Sequence, residues 1–192
     1  RGLVPGRAGQ LSRLESVNHV FDPIAAAQAG GATLTGRDLA EQLRAIQVTA
    51  DLFQVLGVDP LLGRTFQQGE DQPGAAHTVV LSNAFWVRKF GADPNIIGQT
   101  LTLNGDGYTV VGVMPPQFHF APFWVTNAEV FVPLNLAPRV NDRGGASLRI
   151  FARLKPGVSR EQAQAEMDAI QRRIEQQYPG TNKRLDVTID PL

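Results

Sequence analysis

The run Val48-Thr49-Ala50-Asp51-Leu52-Phe53-Gln54-Val55-Leu56-Gly57-Val58 continues, past Asp59, into Pro60-Leu61-Leu62-Gly63-Arg64-Thr65-Phe66. Asp51 is a favoured N-cap residue, and Gln54 stands three positions on, where a capping box needs it. A short helix is predicted here, and Gly57 stops it. Asp59-Pro60 and Gly63 mark the loop that follows. Just before this run, Glu41 to Thr49 alternates. Leu43, Ala45 and Gln47 lie opposite Arg44, Ile46 and Val48, so a strand is predicted.

Working toward the N-terminus, Gly36-Arg37-Asp38 reads as a turn and the Ala-rich stretch Ile24 to Leu34 as another strand. Ser12 to Phe21 reads as a short helix with Leu14, Val17 and Phe21 on one face, ended by Asp22-Pro23. Residues 1–12 are rich in Gly, Arg and Pro without a period, and an irregular start is expected.

Toward the C-terminus, Thr78 to Leu81 is a short buried strand. Ser82 is an N-cap for a helix over Asn83 to Phe90, and Gly91 is its stop. Trp86 and Phe90 share a face of that helix and read as core. Asp93-Pro94 is a turn. Gln99 to Leu103 alternates Thr and Leu, and Asn104-Gly105-Asp106-Gly107 turns it into a hairpin with Tyr108 to Val113. Pro115-Pro116 breaks that strand. A loop runs to about Ala128, and Glu129 to Pro133 is a strand.

Ser147 to Leu154 is the next strand, with Leu148, Ile150, Ala152 and Leu154 opposite Arg149, Phe151 and Arg153. Ser159 and Gln162 form a second capping box. Ala163, Met167, Ile170 and Ile174 give the stripe of an amphipathic helix, closed by Pro179-Gly180. Leu185, Val187 and Ile189 alternate in a last strand. This last strand–helix–strand unit needs partner strands, and such a unit with its strands side by side is usually a right-handed parallel crossover. The fold class is therefore α+β. A β-α-β lobe is built from residues 1–57 and 147–192, and residues 58–146 form a smaller inserted α/β lobe with a β-hairpin.

The chain has 192 residues, enough for one sizeable core or two small lobes. It carries 18 Lys plus Arg against 18 Asp plus Glu, and this balance argues against nucleic acid as a partner. There is no cysteine, which suits an oxidising compartment and excludes thiol catalysis and cysteine-ligated zinc. The most apolar long window, Phe120 to Pro138, holds Pro122, Asn127, Glu129, Pro133 and Asn135, so it is not a membrane span. Arg1 to Gln10 has no apolar run of a signal peptide, and delivery across a membrane is expected to depend on sequence outside this segment.

Reactive groups are sparse. His19, His77 and His119 show no metal-ligand spacing and read as surface histidines. Gly145-Ala146-Ser147-Leu148-Arg149 has only the first half of a nucleophile elbow. Glu70-Asp71 reads as a solvated turn. No phosphate-binding loop is present. No catalytic residue, cofactor or metal is expected. The proline-punctuated stretch Pro115 to Trp124 carries Phe118, Phe120, Phe123 and Trp124. It either packs over its own lobe or offers a partner or substrate contact.

The run over 48–66 resembles the signature of MacB-like periplasmic core domains, found in FtsX/MacB-type ABC-transporter permeases. Val79-Val80-Leu81-Ser82, Phe85-Trp86, Arg88-Lys89-Phe90-Gly91, Ile97 to Gly105 and Tyr108 to Pro115 follow in the family's order and spacing. So do Val130 to Leu134, Phe151 to Val158 and the Glu161–Tyr178 helix. The wording is closest to permeases of acidobacterial and related genomes. The resemblance covers residues 14–192.

The resemblance implies a non-catalytic periplasmic domain inserted between two transmembrane helices of a bacterial inner-membrane permease. It implies a porter-like lobe built from both chain ends. It implies the permease's own helices and a cytoplasmic ABC ATPase as partners, a periplasmic adaptor in some members, and a homodimeric transporter. In that setting ATP hydrolysis drives export or regulates envelope proteins through conformational change. From the residues alone two other functions stay open. One is a passive peptide- or lipid-binding module using the Pro115–Trp124 loop. The other is a small α+β hydrolase relying on His77 or His119.

Overall fold

The computed structural model describes residues 2–6, 18–36, 39–120, 127–136, 148–177 and 190–191. The strands are β1 (Gly2–Gly6), β2 (Phe21–Thr35), β3 (Glu41–Val48), β4 (Leu62–Gly63), β5 (Thr78–Leu81), β6 (Thr100–Leu103), β7 (Asp106–Val113), β8 (Val130–Pro133), β9 (Leu148–Leu154) and β10 (Asp190–Pro191). The helices are α1 (Leu52–Leu56), α2 (Asn83–Phe90) and α3 (Arg160–Gln177). The strands form one mixed sheet in the order β10-β1-β9-β2-β3-β8-β5-β7-β4, while β6 pairs with both β2 and β7. The β3–β8 and β5–β7 pairs are parallel and the other pairs antiparallel.

The double pairing of β6 closes a ring: β2, β3, β8, β5, β7, β6 and back to β2. Period-2 alternation explains why the ring is stable. Ala32, Leu34, Leu43 and Ala45 face one core together with Val79, Leu81, Val110, Val130 and Val132. Leu101 and Leu103 of β6 complete it, and Phe85 and Trp86 of α2 pack against it. The intervening residues Ile46, Val48, Val80 and Phe131 face a second core, which takes the apolar side of α1. Both faces of these strands are therefore buried. A third core holds Ala163, Met167 and Ile170 of α3 against Ile24, Ala26, Leu148, Ile150 and Ala152.

Local chemistry fixes several ends as predicted. The Ser82 hydroxyl accepts the Phe85 N–H at 3.2 Å, and Gly91 ends α2 in a left-handed conformation. Ser159 and Gln162 cap α3 reciprocally, at 2.8 and 3.2 Å. Asn104 and Gly105 both have positive φ, and Leu103 pairs directly with Asp106. The hairpin thus has a two-residue turn, and β7 starts two residues earlier than predicted. The Asn104 side chain also accepts the Thr33 N–H at 2.8 Å, which fastens the turn to β2 and helps close the ring. Trp86 is buried with its indole N–H on the Asp93 carbonyl, and Phe90 packs edge-on to Phe85.

Three expectations are corrected. Gly2–Gly6 is a strand lying between β9 and β10, because cross-strand pairing overrides its irregular composition. Phe21 does not end a helix. Asn18 to Val20 is non-helical, and Phe21 opens β2, pairs with Leu154 and is buried. The Asp22-Pro23 step sits within β2, where the register shifts between Phe21 and Ile24, a place that tolerates proline. β9 and β10 are mutually parallel, each being antiparallel to β1, which lies between them. The Asp51–Gln54 capping box does not form. Asp51 has helical dihedrals and no side-chain cap bond, because the Leu52 N–H turns back onto the Thr49 carbonyl at 3.1 Å.

Strands from 1–57 and 147–192 make up one run of the sheet order, from β10 to β3, and strands from 58–146 make up the other. The predicted helix over 12–17 and the predicted strand over 185–189 lie outside the described residues, as does Pro179-Gly180. Among the described residues, no helix is long and apolar enough to cross a membrane.

Candidate functional site

The loop between β4 and β5 carries Glu70 and Asp71, and the structure revises their reading as a solvated turn. Both Glu70 oxygens bind the Arg64 guanidinium, at 2.8 and 2.9 Å, and one also accepts the Gln67 N–H at 2.7 Å. Burial works against the Glu70 charge, but the Arg64 fork and the Gln67 amide outweigh it and hold the carboxyl below its usual range. Asp71 reaches back to accept the Ala50 N–H at 3.0 Å. Glu70 thus ties the loop to itself, and Asp71 straps it to the residue that leads into α1. At its other end, Arg153 of β9 donates to the Gln54 and Val55 carbonyls at 3.2 and 2.9 Å.

Asp51 is the electrostatically costly member of this region. Burial first, then the charges of Asp71 and Asp22, push its carboxyl above the usual range. The raised value fixes the sign. Asp51 contributes nothing unfavourable below the ordinary aspartate range, where both states are protonated, and lowers stability as pH rises through its folded value. Asp51→Asn is therefore expected to raise the melting temperature at about pH 7 and to leave it unchanged at about pH 3. Asparagine is also an accepted N-cap residue. An equal change at both pH values, read by thermal melts, would contradict this assignment.

A cleft of about 340 Å³ lies between α2's first turn, the Pro115–Phe120 loop and β8. Its apolar lining includes Phe85, Pro115, Pro116, Phe118, Phe120 and Phe131. Phe118 lies 5.9 Å from Phe53 and 5.8 Å from Phe131 between ring centroids, and Phe120 lies 5.2 Å from Phe151. Both rings are half-buried, packed on the α1 core with one side toward the cleft. Phe123 and Trp124 lie outside the described residues.

Polar groups at the cleft come from distant positions. The Glu129 side chain is only 14% exposed. It accepts the Arg44 backbone N–H at 2.9 Å and an Arg88 guanidinium N–H at 2.8 Å. Arg88 also pairs with Glu41 at 2.7 Å and lies 5.4 Å from the Phe85 ring centroid. The Arg44 side chain comes nearest to Glu129 at Nε, 3.7 Å away, and is 57% exposed. Residues 44, 88 and 129 have no shared local pattern, so sequence reading did not single them out.

Ser82, His119 and Glu129 also line this cleft. They do not make a catalytic relay. The Ser82 hydroxyl caps α2, and Glu129 is held by Arg44 and Arg88, so among the described residues no carboxylate orients the imidazole. His77 stacks on Tyr108 at 4.8 Å, and His19 is exposed. The histidines are not brought together. Among the described residues, no group of three His, Cys, Asp or Glu is placed to hold a metal.

Solved structures with the same fold include extracytoplasmic domains of transporters. The periplasmic region of MacB from Actinobacillus actinomycetemcomitans matches with a TM-score of 0.67 at 12% identity, over 94% of this chain and 86% of that one. The extracellular domain of the noncanonic ABC-type transporter YknZ from Gram-positive bacteria matches with a TM-score of 0.65 at 15% identity, over 97% and 90%. A domain of a putative permease protein from Porphyromonas gingivalis matches with a TM-score of 0.68 at 16% identity, over 100% and 92%. No curated protein sequence matches the chain significantly. The family model for the MacB-like periplasmic core domain matches residues 5–170. The chain belongs to the MacB-like periplasmic core domains, the extracytoplasmic domains of MacB-type ABC-transporter permeases.

Proposed function

We propose that this domain transmits movement, coupling ATP hydrolysis by a cytoplasmic ABC ATPase to export or to regulation of envelope proteins. The observation that carries the reading is the pairing of β1 with β10, Gly2 opposite Pro191 and Leu3 opposite Asp190. Both ends of the domain leave from one edge of the sheet. A segment flanked by two transmembrane helices needs that geometry, and helix displacement then acts on both ends together. Under this proposal residues 1–57 and 147–192 form the membrane-proximal lobe. Residues 58–146 form the lobe that amplifies the motion toward a second protomer or a periplasmic adaptor.

The test uses the full permease assembled with its ATPase in membranes. The segment has no cysteine of its own, and Gln68 is exposed, so Gln68→Cys gives one defined spin-label site in it. The distance distribution between protomers is expected to shift between ATP-bound and ADP-bound states. A distribution unmoved by nucleotide sinks the coupling. The absence of any interprotomer distance sinks the dimer.

A further inference from the structure

We propose that the cleft beside the Pro115–Phe120 loop binds a compact carboxylate with an apolar body, and that Arg44 receives the carboxylate. Size sets the first limit. A volume of about 340 Å³ corresponds to about eleven waters, at the small end of ligand sites and far below a folded partner. The lining sets the second. Phe118, Phe120 and Phe131 with Pro115 and Pro116 give a surface suited to an aliphatic or aromatic group.

Charge sets the third. Two guanidiniums and one carboxylate line the cleft. Arg88 is occupied by Glu41 and Glu129, and Glu129 by Arg88 and the Arg44 amide. The Arg44 guanidinium makes no hydrogen bond among the described residues, its nearest approach to Glu129 being Nε at 3.7 Å, beyond hydrogen-bond distance. The cleft also contains the start of α2, whose first turn carries no acidic residue. A cation would meet the positive charge of Arg44, whose guanidinium pairs with Glu129 only beyond hydrogen-bond distance. A monoanion with two coplanar oxygens matches its planar fork. A phosphate dianion would bring a second charge, and Arg88, the other lining guanidinium, is already held by Glu41 and Glu129.

The test is a ¹⁵N NMR titration of the 192-residue chain with 4-phenylbutyrate and with N-acetyl-leucyl-phenylalanine, each beside its neutral amide. Saturable shifts are expected at the Asn83 and Phe131 amides and the Arg44 Nε–H. The amides should bind about tenfold more weakly, and Arg44→Gln should weaken the acids by about the same factor. Arg44→Lys should recover part of the loss, because it keeps the charge without the fork. Tighter binding of the dipeptide points to peptide C-termini, and tighter binding of phenylbutyrate to simple acids. Both results support the site. Equal binding of acid and amide, no effect of Arg44→Gln, displacement by equimolar inorganic phosphate, or no saturable shift each overturns it.

Discussion

Replacing Phe53 by alanine is expected to cost about 3–5 kcal/mol of folding stability. Phe53 is 1% exposed, the second residue of α1. Its ring centroid lies 5.5 Å from that of Phe131 and 5.9 Å from those of Phe66 and Phe118. It therefore joins the helix, the loop after β4, the Pro115–Phe120 loop and strand β8. Truncation removes the transfer free energy of the ring, leaves a cavity and breaks three aromatic contacts. The surrounding groups cannot collapse into the space easily, because strand pairing holds Phe131 in place. Urea unfolding followed by circular dichroism should show a lower midpoint with little change in slope. The exposed neighbour provides the comparison, since Gln54→Ala should change stability by less than about 0.5 kcal/mol. A loss below about 1 kcal/mol for Phe53→Ala would mean that this aromatic junction is not what holds α1 to the sheet.

The features legible in the sequence are those decided within a few residues. The Ser82 cap, the Gly57 and Gly91 stops, the Asn104-Gly105 turn and the Ser159–Gln162 box each depend on backbone groups within four positions. The strand β1 was not legible because Gly2–Gly6 becomes a strand only through partners almost 150 or more residues away. Ring closure was not legible either, since the same alternation in β6 and β2 would suit an open sheet. The cleft was read only in part. Phe118 and Phe120 stood out by composition. The charges opposite them did not, because Arg44, Arg88 and Glu129 come from β3, α2 and the lead-in to β8. The 48–66 run was decisive for a physical reason. It encodes a helix with four buried apolar residues, a left-handed stop at Gly57 and a tight strand contact at Gly63. Its residues specify packing, which is why they identify a fold without marking reactive groups.

Gly112→Ala is expected to destabilise the domain by about 2–3 kcal/mol, and Gly63→Ala by a similar amount. The two glycines face each other in the β4–β7 pair. A Cβ on Gly112 would lie 2.1 Å from the Arg64 carbonyl oxygen, and one on Gly63 would lie 2.2 Å from the Val111 carbonyl oxygen. These obstacles are backbone atoms, so no side-chain rotation relieves them. Gly63 also has φ +68, which adds about 1 kcal/mol of left-handed strain for alanine. Gly105→Ala separates strain from collision, because Gly105 has φ +93 and open space around its Cβ position. It should cost only the strain. Each substitution at the β4–β7 contact relieves its clash by moving β4 away from β7, which breaks the Leu61–Val113 and Arg64–Val111 hydrogen bonds at 2.7 and 2.8 Å. Once the strands are apart, the second methyl meets little resistance. The double variant should therefore lose clearly less than the sum of the two single losses. Full additivity in a double-mutant cycle, or a Gly112→Ala variant as stable as the parent, would show that the close approach of β4 to β7 does not hold this edge of the sheet.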